Sequence, residues 1–156
     1  MRKPRLVKSD LDREIAELVD QTDKRVLATW ACDCVERVLP FFEAASAHDD
    51  RPVAAIKAAR TWVAGGVFRM KDVRNASLAA HKAAHDVEDN DAARSAAHAA
   101  GQALATAHVA RHSVAAAIYA ATAARDGAGA ADANTAVAEE RRWQYQHLVE
   151  LRLKQS

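Results

Sequence analysis

The stretch DAARSAAHAAGQALATAHVA, residues 91–110, is the strongest constraint on how this chain can fold. Drawn as a helix, it carries small or apolar side chains on nearly every side. Ala93, Ala97, Gly101, Leu104 and His108 fall along one stripe. A helix of this kind has no polar face to offer water, so it must be central and surrounded by other helices. Its methyl-sized side chains let those neighbours approach closely. Gly101 costs roughly 1 kcal/mol of helix stability relative to alanine, so its place here predicts a close backbone contact.

The same bias runs through the chain. About a quarter of the residues are alanine, the best helix former because it loses no side-chain entropy in a helix. Aromatic residues make up only 5 %, and five glycines and three prolines leave little material for loops. The predicted fold class is all-α. A chain of 156 residues is most simply one domain. Short connections predict about six to seven antiparallel, closely packed, alanine-rich helices, arranged as helical hairpins or an irregular bundle.

Local signals place the helices. Ser9 can cap a first helix over residues 10–20, and Thr22 or Asp23 a second through RVLATWACDCVERVL. Pro40 ends or kinks that helix, and FFEAA adds a turn or two. HDDRP is the clearest boundary. Asp49 or Asp50 caps the next helix, Pro52 sits in its first turn, and Gly65 and Gly66 stop it. A fourth helix spans 70–87 with Val73, Ala76, Ala80, Ala84 and Val87 on one face, and Asp89 or Asn90 opens the central fifth. Ser113 can cap a sixth helix ending at Gly127. A Gly/Ala connector over about 127–133 then precedes a last helix, apolar late at Tyr145, Leu148, Val149 and Leu151. The start, MRKPRLVK, reads as a flexible basic tail over about 1–8.

Charge and patterning exclude several classes. A net charge of +1 lacks the basic footprint that nucleic-acid binding needs. No apolar run reaches the length of a membrane span, and the N-terminus lacks the apolar core of a secretion signal, so the expected location is cytoplasmic. Cys32 and Cys34, two apart on a helix, point in different directions and read as buried thiols rather than a disulfide. Neither a P-loop nor a Gly-x-Ser-x-Gly elbow is present. Trp30 and Trp62 fit core stripes.

The histidines leave a choice open. LAAHKAAH and LATAHVARH each end in two histidines four apart, which lie one above the other on a helix about 5–6 Å apart. His81, His85, His108 and His112 could therefore complete a tetrahedral metal site between two helices, giving a metal-binding protein, a hydrolase or an oxidoreductase. Against this, Lys82 stands where a His-Glu-x-x-His motif needs its general base, and no Glu-x-x-His spacing occurs. The other reading is of neutral imidazoles hydrogen-bonded across helices. His48, His98 and His147 read as surface or boundary residues.

ATWACDCVERVLPFFE, DDRPVAAIKAARTWVAGG, LAAHKAAHD and AAGQALATAHVARHSVAAAIYAATAA together resemble the bacterial immunity-protein family. These are small all-α proteins of polymorphic toxin systems, each binding and neutralising a cognate toxin. The resemblance covers about residues 30–124, most specifically DDRPVAAIKAARTW and AHVARH. It implies a non-catalytic protein-binding module with a toxin partner and no cofactor, and it carries over no binding residue. Some family members are labelled exonuclease subunits, but the phosphate-binding loop such an ATPase needs is missing here. If the toxin is basic, local acidic groups would speed its capture. The candidates are Asp49 and Asp50 at one helix start and Asp86, Glu88, Asp89 and Asp91 at a turn, although acids also gather at helix N-termini to complement the dipole. The late stretch YQHLVELRL could alternatively pair with its symmetry mate in a homodimer.

Overall fold

Residues 5–67 and 69–155 are described by the structure, a computed structural model. They form eight helices in one domain, with no strand among the described residues. These are α1 (Asp12–Asp20), α2 (Lys24–Glu36), α3 (Leu39–Ala45), α4 (Arg51–Val63), α5 (Met70–Asp86), α6 (Asp91–Ala105), α7 (His112–Ala128) and α8 (Ala133–Lys154).

α6 is central, as its lack of a polar face requires. Eleven of its fifteen residues are buried. It packs against α2, α3, α4, α5 and α7. Ala93, Ala96, Ala97, Ala99, Ala100 and Ala103 are fully buried in one core with Leu27, Trp30, Phe42 and Leu104. The Asn90 side chain accepts the Ala93 N–H at 3.0 Å, the expected N-cap. The helix stops at Ala105, five residues earlier than its composition predicts. Thr106 turns its hydroxyl back onto the Gln102 carbonyl at 3.1 Å, and the Val109 N–H closes a turn on Ala105 at 3.0 Å.

Two further helix ends separate pattern from outcome. At the end of α4 the Gly65 N–H donates to the Trp62 carbonyl and the Gly66 N–H to the Thr61 carbonyl, both at 3.0 Å. Gly65 has φ of +105°, so the expected glycine stop is a Schellman cap. Arg25 of α2 reinforces it by donating to the Trp62 and Val63 carbonyls while stacking 4.4 Å over the Trp62 ring. Around Pro40 the chain does not merely kink. α2 ends at Glu36 and a separate α3 begins at Leu39, with Pro40 in its first turn, where no N–H is needed.

α8 is held differently. Of its expected late apolar residues only Leu148 is fully buried, and Leu153 is 68 % exposed. Polar groups do the docking instead. The Trp30 indole N–H donates to the Gln144 carbonyl at 2.8 Å, and the Gln144 amide donates to the Ala117 carbonyl at 2.9 Å. Buried Arg141 donates to Gln144 Oε1 at 2.9 Å and to Asp12 at 2.7 Å, tying α8 to α1. Arg37 grips Glu140 through two hydrogen bonds of 2.8 and 3.1 Å and lies 4.0 Å over the Trp143 ring.

Residues 1–4 of the expected basic tail lie outside the described residues. Beyond them, Val7 is buried and its N–H donates to Thr122 Oγ1 at 3.2 Å, which fastens this segment to α7. The Ser9 N–H donates to Asp12 at 3.0 Å while Ser9 Oγ accepts the Leu11 N–H, a reciprocal cap before α1. Of the expected connector, Gly127 and Ala128 belong to α7, and the helix ends at Gly129 with φ of +83°. Ser113 lies inside α7 rather than capping it.

Packing by methyl groups leaves no room for larger ones. Ala97→Leu in α6 is expected to cost about 1–3 kcal/mol through overpacking. Ala58→Leu, on the exposed side of α4, should stay within about 0.5 kcal/mol of the parent. Urea unfolding of the two variants checks the contrast.

Candidate functional site

A groove of about 240 Å³ opens where α5 meets the end of α6 and the start of α7. His81 on α5, His108 in the turn after α6 and His112 at the first position of α7 line it, with Gln102 and Ser77 between them. Met70, Val73, Leu78 and Ala105 supply its apolar walls, and Arg74 stands on α5 beside them. The α6 alanines and Gly101 set how closely α5 can lie. Ser77 Oγ donates to the Gly101 carbonyl at 2.9 Å. A Cβ on residue 101 would stand 2.7 Å from His81 Nε2. The close approach expected at Gly101 is therefore made by an imidazole.

The rings are cross-linked by hydrogen bonds. His81 Nδ1 and His98 Nδ1 are 2.7 Å apart, so one ring donates and the other accepts, and a single proton lies between them. The His98 ring also lies 5.2 Å from Tyr119. The His112 Nδ1–H donates to Gln102 Oε1 at 2.8 Å. Burial is the main cause that lowers the pKa of His81, helped by His112. Burial likewise lowers that of His112, helped by His108. His98 is brought down to about 4, by burial first and then by His81 and Arg94. These three imidazoles are neutral at pH 7.

The four histidines of the sequence pattern do not assemble as paired ligands. His81, His108 and His112 share the groove, but His85 is exposed and sits 3.8 Å from Glu88. His98, expected at the surface or a boundary, is half-buried and takes the place beside His81. His147, read the same way, donates its Nε2–H to Asp33 Oδ2 at 2.7 Å. Among the described residues no group of three or more His, Cys, Asp or Glu side chains is placed to hold a metal ion. His81 and His112 have already committed Nδ1 to a neighbour.

Other reactive groups are muted. Cys32 and Cys34 are buried free thiols. Burial pushes Cys32 up to about 12 and raises Cys34 well above the ordinary thiol value, so neither is a thiolate at neutral pH. The acidic candidates gather where α4 starts, α5 ends and α6 starts, yet the chain consumes half of them. Arg51 holds Asp49 at 2.7 Å and Asp86 at 2.6 Å. Buried Arg94 holds Asp91 at 2.8 Å and donates to the Glu88 carbonyl at 2.7 Å. Asp50 and Asp89 remain exposed. A second, larger cleft of about 690 Å³ lies between residues 5–11 and α7–α8, with Arg5, Lys8, Arg125 and Arg142 on its walls. Arg125 is already paired with Asp126 at 2.9 Å.

The histidine groove is smaller than the roughly 300–1,000 Å³ typical of small-molecule pockets. Fold and groove together define a compact helical domain whose most distinctive surface feature accommodates a side chain or two. The chain belongs to the Imm-5 like putative immunity protein family, whose model matches residues 17–151 and so spans α2 to α7 together with the end of α1 and most of α8. No curated protein and no solved structure matches it.

The depressed histidine pKa values carry a pH dependence. Unfolded, these imidazoles take up protons near the ordinary value of about 6.5. Folded His98 does so only near 4. Between those limits the unfolded chain binds more protons, so stability is full above about pH 7 and falls as the pH drops toward 4. His98→Asn, which can keep a hydrogen bond to His81, should flatten that slope between pH 7 and 5. Thermal unfolding of parent and variant across that range checks it, and parallel curves would contradict it.

Proposed function

We propose that this protein neutralises a cognate bacterial toxin by binding it stoichiometrically, without catalysing a reaction and without a cofactor. The match to the immunity-protein family over residues 17–151 carries this reading. The chemistry of the chain agrees with it. The thiols are protonated, His81, His98 and His112 are neutral and hydrogen-bonded, and no metal-binding group gathers among the described residues. A binder needs a surface whose shape is set before the partner arrives, because ordering side chains on contact costs affinity. Close packing around α6 supplies that rigidity. The partner is accordingly a protein rather than nucleic acid or a membrane. No helix of the described residues is long and apolar enough to cross a bilayer.

Co-expression with the toxin encoded beside this chain should restore growth to cells that the toxin alone stops. The purified pair should elute as one complex of fixed stoichiometry. Continued killing in the presence of soluble, folded protein would defeat the proposal.

A further inference from the structure

Resting on that reading, we propose that the histidine groove is the toxin-contact surface, and that it receives a partner segment in which a large apolar side chain lies beside a carboxylate.

The apolar half of the inference comes from what the chain leaves uncovered. Among the described residues the exposed large hydrophobic side chains are Leu6, Val67, Met70, Leu78, Val109 and Leu153. Met70 and Leu78 line the groove itself. Single exposed apolar residues are ordinary, but Met70 and Leu78 share one groove with Val73 and Ala105, and an apolar lining of that kind marks an interaction site. The volume of about 240 Å³ suits a protruding side chain.

The carboxylate half comes from charge. Arg13, Arg37, Arg51, Arg60, Arg94, Arg111, Arg125 and Arg141 each sit on an acidic side chain of this chain. Arg74, in the wall of the groove, instead rests its guanidinium 3.4 Å from the Met70 sulfur. Arg69 and Lys71 are exposed at the start of the same helix. No ion pair joins Arg69, Lys71 or Arg74 to a carboxylate among the described residues. A fork-shaped cation against an apolar wall favours a planar carboxylate at the same depth. Methionine and arginine are also residue types enriched at protein interfaces. The floor is already fixed by the Ser77–Gly101, His81–His98 and His112–Gln102 contacts, so little has to be ordered when the partner docks. The acidic end has consumed Asp49, Asp86 and Asp91 on its own arginines, and the cleft at Lys8 and Arg142 offers only Leu6 among the exposed apolar side chains.

The test measures affinity between the full chain and its toxin for three double variants. Arg74→Glu with Leu78→Asp alters the groove. Asp50→Lys with Asp89→Lys alters the acidic end, and Lys8→Glu with Arg142→Glu alters the basic cleft. All six positions are exposed, and circular dichroism with a melting curve confirms folding. The groove variant should bind at least ~30-fold more weakly, the loss expected from a hot-spot residue, with the other two staying within about threefold of the parent. Arg74→Gln alone should lessen the decline of affinity with added salt. Parent-like binding by the groove variant, or an equal loss in either of the others, overturns the assignment while leaving toxin neutralisation intact. If the parent itself neither binds nor protects, both proposals fall. Sedimentation of the chain alone completes the test: a dimer dissolved by Leu78→Asp would make a second copy the occupant and overturn the toxin assignment.

Discussion

A methyl group buries far less apolar area than a leucine side chain, so a helix packed mainly by alanine gains little from each residue. It recovers that deficit by proximity. When α5 and α7 lie close to α6, backbone as well as side-chain atoms enter van der Waals contact, and many small attractions add up. The larger anchors are few: Ile15, Leu27, Trp30, Phe42, Leu104 and Leu148 are fully or almost fully buried. Everything else depends on that approach, including the seating of Ser77 on the Gly101 carbonyl and the fit of His81 over the same glycine.

Close helices also bring polar side chains to places where water cannot follow, and those groups must find partners within the protein. His81 and His98 satisfy one another, and His112 uses Gln102. On the other side, Gln144 spans from the Ala117 carbonyl to Arg141, while its own carbonyl takes the Trp30 indole. A buried arginine such as Arg141 contributes little net stability, since desolvating the charge offsets much of its pairing. Its value lies in position. Asp12, Gln144 and Arg141 meet at one place only, which fixes how α8 lies on α1, α2 and α7 despite the scarcity of apolar residues on it.

The sequence disclosed the architecture because alanine content, apolar periodicity and capping residues act locally. The central place of residues 91–105, the Asn90 cap and the Gly65–Gly66 stop all follow from such signals. What the pattern missed has physical causes. Where every position is small, composition carries no stop signal, so residues 106–110 read as helix although Thr106 and Val109 close a turn. His98, read as a surface or boundary residue, is half-buried, and what the pattern could not show is its ring partner on α5. Nothing local marks Glu140 and Arg141 as buried, because their partners, Arg37 and Asp12, are over a hundred residues away. The groove was half visible. His81, His108 and His112 were in view, but their meeting depends on where the turn after α6 falls, and that Arg74 makes no ion pair among the described residues is a property of three-dimensional neighbourhood alone.

The two thiols on α2 give the molecule a built-in gauge of its own opening. Cys32 and Cys34 are sealed in the core and held in the unreactive form. A colour-forming disulfide reagent will therefore meet them only when the core parts. At high reagent concentration the rate of colour release reports how often that happens, and a docked partner that clamps the helices together should slow it.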